Sequence, residues 1–389
     1  MADWKELTVG DLCDTISDTY HRNDDEVVLV NTSDVLEGKI LNHQTVENKN
    51  LKGQFKKTFK KDDILYSEIR PANKRYAYVN FEETERYIAS TKLMVLRPKT
   101  DVVLPRFLFA FLSSSHVLAE LQHLAETRSG TFPQITFSSE LAPMPIAVPE
   151  LETQGKIVGM LSAIEGRIQN NNAINDNLEQ QAFAFFDRLL AEAVTDECAL
   201  TNYAELNPKR VLAKNQIARS IDMSQLSTSG AFPSGWELKP YNGGMRFSNG
   251  DTLLARITPC LENGKTAFID FLDDNEVAFG STEYIVLAPS EYVPPEFLYC
   301  LARCPKFVEY AVKNMNGSSG RQRVSAETVG QFMLPKLSNS SLKEFGNAVA
   351  PMFVKMRHNS LESIQLTALR ETLLPKLMSG ELDVSALDL

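Results

Sequence analysis

The sequence repeats itself, and this repetition constrains the fold more than any other feature. Short motifs from the first half return in the same order in the second half, at offsets that stay between 188 and 191 residues. The matched segments are 59–71 with 247–259, 77–79 with 267–269, 90–98 with 281–289, 105–108 with 295–298 and 129–130 with 319–320. A preserved order at a nearly constant offset indicates duplication, so the chain is predicted to form two similar units.

Each half shows the local patterns of a mixed α/β unit. Short runs rich in β-branched and aromatic residues predict strands at 27–30, 64–69, 76–79 and 93–96. Helical apolar spacing predicts helix at 107–112 and 117–124. The prolines at 143, 145 and 149 disfavour helix in the residues before them. That stretch is therefore predicted to be an extended linker that leaves the globular unit.

A long heptad pattern follows each globular segment. Apolar residues and a polar centre recur in steps of four and three, which is typical of a coiled-coil seam. Adding 188 to each position reproduces the seam in the second half. The predicted seam comprises Ile157, Leu161, Ile164, Ile168, Asn171, Asn175, Leu178, Phe185 and Leu189, and then Phe345, Val349, Met352, Met356, Asn359, Leu366, Leu373 and Leu377.

The polar centre of the seam predicts how the two helices pair. Asn171 and Asn175 would lie level with Asn359 and Ser363 if the helices run antiparallel. A buried Asn costs stability but fixes register; the alternative is a hydrated, loosely packed centre. Pro351 predicts a kink or a later start in the second helix. An antiparallel pair would hold two units related by a pseudo-twofold axis at opposite ends of a rod.

Composition excludes several classes of protein. No apolar run approaches the roughly 18 residues of a membrane-spanning helix, and the first residues lack the pattern of a secretory signal. Five scattered cysteines favour reduced thiols in the cytoplasm. The formal charge is −10, from 40 Lys and Arg against 50 Asp and Glu. This charge argues against indiscriminate coating of nucleic acid but permits local basic patches.

The sequence lacks the motifs of the relevant catalytic chemistry. There is no Asn/Asp-Pro-Pro-Tyr/Phe motif of an amino-methyltransferase and no Gly-rich phosphate loop. Asp63 with Glu68 partly resembles the carboxylate set of a metal-dependent nuclease, but the second copy has Arg256 in place of Glu68. A structural strand explains the pattern better. No catalytic residue, metal or cofactor is predicted.

The order unit, helix, unit, helix resembles the specificity subunit of type I restriction–modification systems. Residues 63–71 with Lys74, and 251–259 with Lys265, are similar to a recurrent strand of that family. Ser90-Thr91 and Ser281-Thr282, each followed by Val-Leu-x-Pro, are similar to its next strand. Residues 145–157 resemble the start of its first conserved helix, whereas 334–339 depart from that pattern.

The resemblance implies a non-catalytic subunit that directs modification and cleavage to a bipartite site in double-stranded DNA. Residues 1–150 and 196–335 would be target recognition domains. Residues 151–195 and 336–389 would be the spacer helices, the second with a C-terminal tail. The helices would dock two modification (methyltransferase) subunits, and restriction subunits would join that core. The two alternatives are a coiled-coil scaffold without a DNA role and a self-contained restriction enzyme.

Candidate DNA contacts are the cations and amides of a few loops. None of the four segments has an excess of basic residues, so a binding face must be segregated from acidic faces. A lysine cluster suits phosphate contact, or protects a strand edge, whereas Arg, Asn and Gln can read base edges, unless these loops are merely charged surface. The candidates are Lys56, Lys57, Lys60, Arg70, Asn73, Lys74, Arg75, Arg128, Thr131 and Gln134 in the first half, and Arg256, Asn263, Lys265, Arg321, Gln322 and Arg323 in the second.

Overall fold

The chain forms two compact units. The computed structural model describes residues 4–22, 24–49, 51, 53–128, 132–193, 196–318 and 320–384. Unit 1 consists of residues 1–165 and 367–389, and unit 2 consists of residues 166–366. Each long helix therefore contributes one part to unit 1 and another to unit 2. The four-part division at 150, 195 and 335 stays a prediction.

The first half contains twelve strands and four α-helices within its described residues. They are β1 (Lys5–Thr8), α1 (Val9–Leu12), β2 (Cys13–Ile16), β3 (Glu26–Val30), β4 (Val35–Leu36), β5 (Lys39–Ile40), β6 (Thr45–Glu47), β7 (Phe55–Lys57), β8 (Ile64–Ser67), β9 (Tyr76–Tyr78), β10 (Tyr87–Ser90), β11 (Leu93–Pro98), α2 (Pro105–Leu112), α3 (Ser115–Arg128), β12 (Pro145–Val148) and α4 (Leu151–Ala191).

Two four-stranded sheets form the body of unit 1. One has the strand order β2-β11-β8-β9 and is antiparallel, and the other has the order β6-β3-β10-β7. Strands β8 and β11 are buried on both faces, because their side chains alternate between two hydrophobic clusters. Ile64 and Tyr66 pack with helices α2 and α3, whereas Leu65 and Val95 pack on the other side. This double burial explains why both strands are almost continuously apolar.

The second half repeats this arrangement. Its elements are β13 (Glu197–Ala199), β14 (Ala204–Leu206), β15 (Ile217–Ile221), β16 (Glu237–Pro240), β17 (Met245–Phe247), β18 (Thr252–Ala255), β19 (Thr266–Phe268), β20 (Ala278–Gly280), β21 (Tyr284–Pro289), α5 (Pro295–Arg303), α6 (Pro305–Lys313), α7 (Ala326–Gly330), β22 (Met333–Pro335) and α8 (Asn339–Met378).

The strand orders confirm the duplication. The sheets of unit 2 have the orders β14-β21-β18-β19 and β16-β15-β20-β17, which correspond strand for strand to those of unit 1. A parallel pair of strands recurs as well, as β3 with β10 and as β15 with β20. The mixed α/β class is therefore confirmed, and the predicted strands at 27–30, 64–69, 76–79 and 93–96 correspond to β3, β8, β9 and β11.

Each unit buries one aspartate at the start of its central strand. Asp63 is 0% exposed, and Arg97 holds its carboxylate with two hydrogen bonds of 2.8 and 2.7 Å. Asp251, at the equivalent position, is 1% exposed and bonded to Arg210 at 2.5 Å. Burial raises the pKa of the Asp251 carboxyl to about 6, against the opposing effects of the Ser248 N–H and Arg210. These aspartates are structural partners of arginines, which removes Asp63 from any nuclease site.

The antiparallel helix pair is confirmed. Within unit 2, the Asn171 amide donates to the Asn359 carbonyl at 3.4 Å and to Glu362 at 2.9 Å. The Asn175 amide donates to the Met356 carbonyl at 3.3 Å, and its oxygen accepts from the Asn359 amide at 2.9 Å. Residues with higher numbers in α4 thus contact residues with lower numbers in α8, so the two helices run antiparallel. The polar centre is hydrogen-bonded protein rather than a hydrated gap.

The predicted seam positions differ in how far their side chains are buried. Nine are buried: Ile157, Leu161, Asn171, Leu189, Phe345, Val349, Met356, Asn359 and Leu377. The others are partly buried: Ile164, Ile168, Asn175, Leu178, Phe185, Met352, Leu366 and Leu373. The heptad pattern missed Phe186 and Phe353, which are each 1% exposed. Phe186 packs 5.3 Å from Phe297 between ring centroids. A helix drifts against an exact seven-residue repeat, so its core-facing stripe moves by one position.

One expectation about a chain connection was wrong. The stretch around residues 145–148 is not a free linker, because β12 pairs with β1 in a two-stranded antiparallel sheet. Of the two alternatives predicted for Pro351, a kink or a later helix start, the later start is excluded, since α8 already begins at Asn339. Pro351 is exposed and lies inside the helix. Sequence reasoning failed at residues 145–148 because a strand partner about 140 residues away is invisible to local patterns.

The amide contacts predict unequal effects of two similar substitutions. Asn175→Ala removes the acceptor of the buried Asn359 amide and should lower the free energy of unfolding by about 1–3 kcal/mol. Asn171→Ala should cost less, because Glu362 keeps two bonds from Arg167 and the buried Asn171 carbonyl oxygen has no hydrogen-bond partner among the described residues. Urea denaturation measures both values. An equal or larger loss for Asn171→Ala would contradict this account of the helix pair.

The buried aspartate predicts a larger loss. Arg97→Ala leaves the Asp63 carboxylate buried without its counter-ion, so the free energy of unfolding should fall by about 3–5 kcal/mol. Adding Asp63→Asn should restore part of that loss, because the orphaned charge disappears. The control is Arg22→Ala, which removes the ion pair between the exposed Arg22 and the partly buried Asp24 and should change stability by less than about 1 kcal/mol. If adding Asp63→Asn to Arg97→Ala does not raise the free energy of unfolding, the explanation by an unpaired buried charge is wrong.

Candidate nucleic-acid interface

In each unit, two of the predicted contact loops meet. The first junction consists of residues 68–70, Lys92 and residues 133–135. The Arg70 N–H donates to the Pro133 carbonyl at 3.1 Å, and the Ile135 N–H donates to the Glu68 carbonyl at 2.8 Å. The Glu68 N–H in turn donates to the Lys92 carbonyl at 3.1 Å. The loop after β8 is thus joined to the segment after α3 by backbone hydrogen bonds.

The second junction repeats these bonds in unit 2. It consists of residues 256–258, Glu283 and residues 322–324. The Thr258 N–H donates to the Gln322 carbonyl at 3.1 Å, the Val324 N–H donates to the Arg256 carbonyl at 3.0 Å, and the Arg256 N–H donates to the Glu283 carbonyl at 3.0 Å. Every bond has its counterpart in the first junction. The two junctions therefore share one backbone frame and can be compared position by position.

The side chains on this shared frame differ. In the first junction, the Lys92 ammonium donates to Glu68 Oε2 at 3.1 Å and to Gln134 Oε1 at 3.3 Å. In the second, Arg323 holds Glu283 with three hydrogen bonds of 2.6 to 2.9 Å. Hydrogen bonding to Arg323, and then the charges of Arg323 and Arg256, lower the pKa of Glu283. Glu283 is therefore a carboxylate at neutral pH.

Several predicted contact residues are engaged inside the protein. Lys57 donates to the carbonyls of Thr91 and Leu93 at 3.1 and 2.8 Å, and its burial lowers its pKa. Arg75 donates to the carbonyl of Ser33 at 2.9 Å, and Lys265 to that of Met223 at 2.7 Å. Ion pairs hold the others: Lys74 with Glu37, Arg128 with Glu140, and Arg323 with Glu283. These cationic side chains therefore already have acceptors within the protein when no DNA is bound.

The remaining predicted contact residues are more available. Their side chains make no hydrogen bond or ion pair with other described residues: Lys56, Lys60, Arg70, Asn73, Arg256, Asn263, Arg321 and Gln322. Apart from Arg256 and Gln322, which are partly buried, all are exposed. Thr131 lies outside the described residues. The available donors cluster beside the two junctions and along β7.

Sequence reasoning missed three members of the junctions: Glu68, Lys92 and Glu283. Glu68 was considered only as part of a nuclease motif. A signal was nevertheless present, because the offset of 188 aligns Glu68 with Arg256 and the offset of 191 aligns Lys92 with Glu283. The first alignment replaces a negative side chain by a positive one, and the second replaces a positive side chain by a negative one. A charge reversal at two neighbouring positions marks a place where the copies differ while their backbone stays the same.

The described residues show neither a metal cluster nor a membrane span. Across them, no group of three or more His, Cys, Asp or Glu side chains could hold a metal ion. None of the helices in the described part of the chain is long and apolar enough to cross a membrane.

Comparisons with known proteins identify the family. The model of the type I restriction modification DNA specificity domain matches residues 1–180. The specificity subunit of the type I restriction enzyme HindI, from Haemophilus influenzae, is 30% identical over an alignment of 464 residues that covers 98% of this chain and 100% of that protein. The EcoAI specificity subunit from Escherichia coli is 34% identical over 131 residues, which cover 32% of this chain and 22% of that protein.

A solved structure shares the fold. The crystal structure of the S subunit of the type I restriction–modification system from M. genitalium aligns with a TM-score of 0.53 and 16% identity, over 97% of this chain and 96% of that one. Together with the full-length match to the Haemophilus protein, the duplicated α/β units and the helix pair lead to one conclusion. The chain belongs to the family of type I restriction–modification specificity subunits, the non-catalytic subunits that supply DNA sequence specificity.

Proposed function

We propose that this chain reads a bipartite site in double-stranded DNA, with residues 1–150 reading one half and residues 196–335 reading the other. The observation that carries the proposal is the pair of junctions, which have the same backbone hydrogen bonds but different side chains. Because the two junctions share one backbone frame, each unit would present its two loops to its own half-site in the same way. Different side chains on that frame let the two halves recognise different sequences.

The side chains beside each junction suit base recognition. Arg70 and Asn73 are exposed next to the first junction, and Arg321 and Asn263 are exposed in unit 2, with Gln322 partly buried in the second junction. Guanidinium and amide groups match the hydrogen-bonding edges of guanine and adenine in the major groove. Because none of them is tied to other described side chains, DNA can bind them without first breaking an internal contact.

Phosphate contact is assigned to the exposed lysines. Lys56 lies in β7 and Lys60 follows that strand, and both are exposed, whereas Lys57 donates to backbone carbonyls and is withdrawn from this role. Lysines at phosphates add affinity without sequence preference, and that affinity falls as salt rises. With a formal charge of −10 for the whole chain, such contacts are few. Weak non-specific binding suits a subunit that must reject most DNA.

As a specificity subunit, the chain acts on DNA in a complex with other subunits of its system. We assign the helix segments 151–195 and 336–389 to docking two modification subunits, with restriction subunits joining that core, in the cytoplasm. The exposed faces of α4 and α8 support this role, since only one stripe of each helix is buried. The family match does not favour a scaffold without a DNA role or a self-contained restriction enzyme.

Arg321→Ala tests the DNA interface. Arg321 is exposed beside the second junction, so its loss should weaken binding of one half-site by about 1–3 kcal/mol and leave the other half-site unchanged. The measurement is the affinity of the reconstituted modification complex for its site at fixed salt. Lys313→Ala, which removes an exposed cation of α6 paired with Glu309, is the control and should have no effect. Unchanged affinity of the Arg321 variant would contradict the assignment.

Lengthening the helix pair tests whether it sets the half-site spacing. We consider inserting seven residues after Asn171 in α4 together with seven after Asn359 in α8, which preserves the heptad register of both helices. Seven residues add about 10 Å of helix, so the spacer in the DNA target should grow by about three base pairs. Methylation sequencing of a genome that expresses the variant complex reads both half-sequences and the spacer. A spacer that keeps its length would refute the role of the helices as a ruler.

A further inference from the structure

The two junctions carry opposite charges at matching positions. Glu68 corresponds to Arg256, Lys92 to Glu283 and Gln134 to Arg323, because the same backbone bonds hold each pair of positions. The first junction thus combines one negative and one positive side chain with a neutral amide. The second combines two positive side chains with one negative. Packing does not require these exchanges, since the frame consists of backbone hydrogen bonds.

Arg256 is a donor of the second junction that has no acceptor among the described residues. Arg323 takes both carboxylate oxygens of Glu283, and Arg256 makes no hydrogen bond or ion pair within the part of the chain that the structure describes. Its Nε is buried without a partner there. An arginine guanidinium stays protonated in proteins, and the charge of Arg256 contributes to lowering the pKa of Glu283. The guanidinium is therefore charged, partly shielded from water and not committed to any internal acceptor.

The first junction presents acceptors at the corresponding place. The Lys92 ammonium binds Glu68 Oε2 and Gln134 Oε1. A carboxylate has about four lone-pair sites and an amide carbonyl has two, so both groups can accept further hydrogen bonds. Glu68 is partly buried, with 21% of its side chain exposed, whereas Lys92 is 49% exposed. The junction thus offers oxygen atoms where the second junction offers N–H groups.

Donors and acceptors distinguish bases in the major groove. Guanine presents the acceptors O6 and N7, which match the two donors of an arginine fork. Adenine and cytosine present exocyclic amino groups, which match the oxygen atoms of Gln and Glu. We infer that Arg256 reads a guanine in the half-site of the second domain, and that Glu68 with Gln134 reads an amino-bearing base in the half-site of the first. This inference rests on the proposed DNA interface and names the base class at one position of each half-site.

The test is the sequence preference of the whole complex. The chain is reconstituted with its modification subunits, bound to a library of randomised DNA duplexes at fixed salt, and the bound fraction is sequenced. Arg256→Gln should reduce the preference for guanine at one position of the second half-site about 5- to 150-fold, and leave the first half-site intact. Glu68→Ala should relax one position of the first half-site only. Lys313→Gln, which removes an exposed cation of α6, is the matched control and should leave both half-sites unchanged.

A second variant protects the test against misfolding. Arg256→Lys keeps the positive charge but lacks the planar fork, so its guanine preference should fall by less than that of Arg256→Gln, while its overall affinity for DNA stays near the original value. Uniform weakening of all sequences by Arg256→Gln would show a phosphate contact and overturn the inference, as would an unaltered guanine preference in both Arg256 variants. The proposed function fails differently, because the unsubstituted complex would then select no bipartite sequence at all.

Discussion

The buried amides where α4 meets α8 constrain the structure most. Asn171 and Asn359 are each 1% exposed, and the N–H groups of both side chains find their acceptors on the opposite helix in the observed antiparallel register. Apolar seams tolerate a shift of a whole heptad, because one Leu or Phe replaces another at similar cost. Buried amides do not, since each shift would leave donors and acceptors without partners. This register determines which part of each helix packs into which unit.

The packing of the units on the helices follows from that register. In unit 1, Ile157 and Leu161 of α4 share one hydrophobic cluster with Leu374 and Leu377 of α8. In unit 2, Phe186 of α4 and Phe345 of α8 share a cluster with Phe297 of α5. Each unit therefore packs around the N-terminal part of one helix and the C-terminal part of the other. Residues of both helices thus belong to the hydrophobic core of each unit.

Duplication has preserved the backbone and exchanged the side chains. Asp63 and Asp251 occupy the same buried position, but Arg97 of β11 binds the first while Arg210, which precedes β15, binds the second. The junctions likewise combine a conserved backbone with different side chains, because the same backbone hydrogen bonds are made by Glu68 in one copy and by Arg256 in the other. A frame of backbone hydrogen bonds tolerates such exchanges, because it makes no demand on side-chain chemistry. That tolerance allows one fold to present two surfaces with different side chains.

The sequence by itself determined the duplication, the strands around β8 and β11, and the polar heptad helices, because these features are periodic or repeated along the chain. Only the tertiary structure decided which loops meet and which cations stay available. Lys57, Arg75 and Lys265 are withdrawn onto carbonyls far away in sequence, and Arg256 is left without a partner among the described residues because Arg323 takes Glu283. A long cationic side chain reaches several partners, and strand pairing between distant segments decides which of them lies within hydrogen-bonding distance.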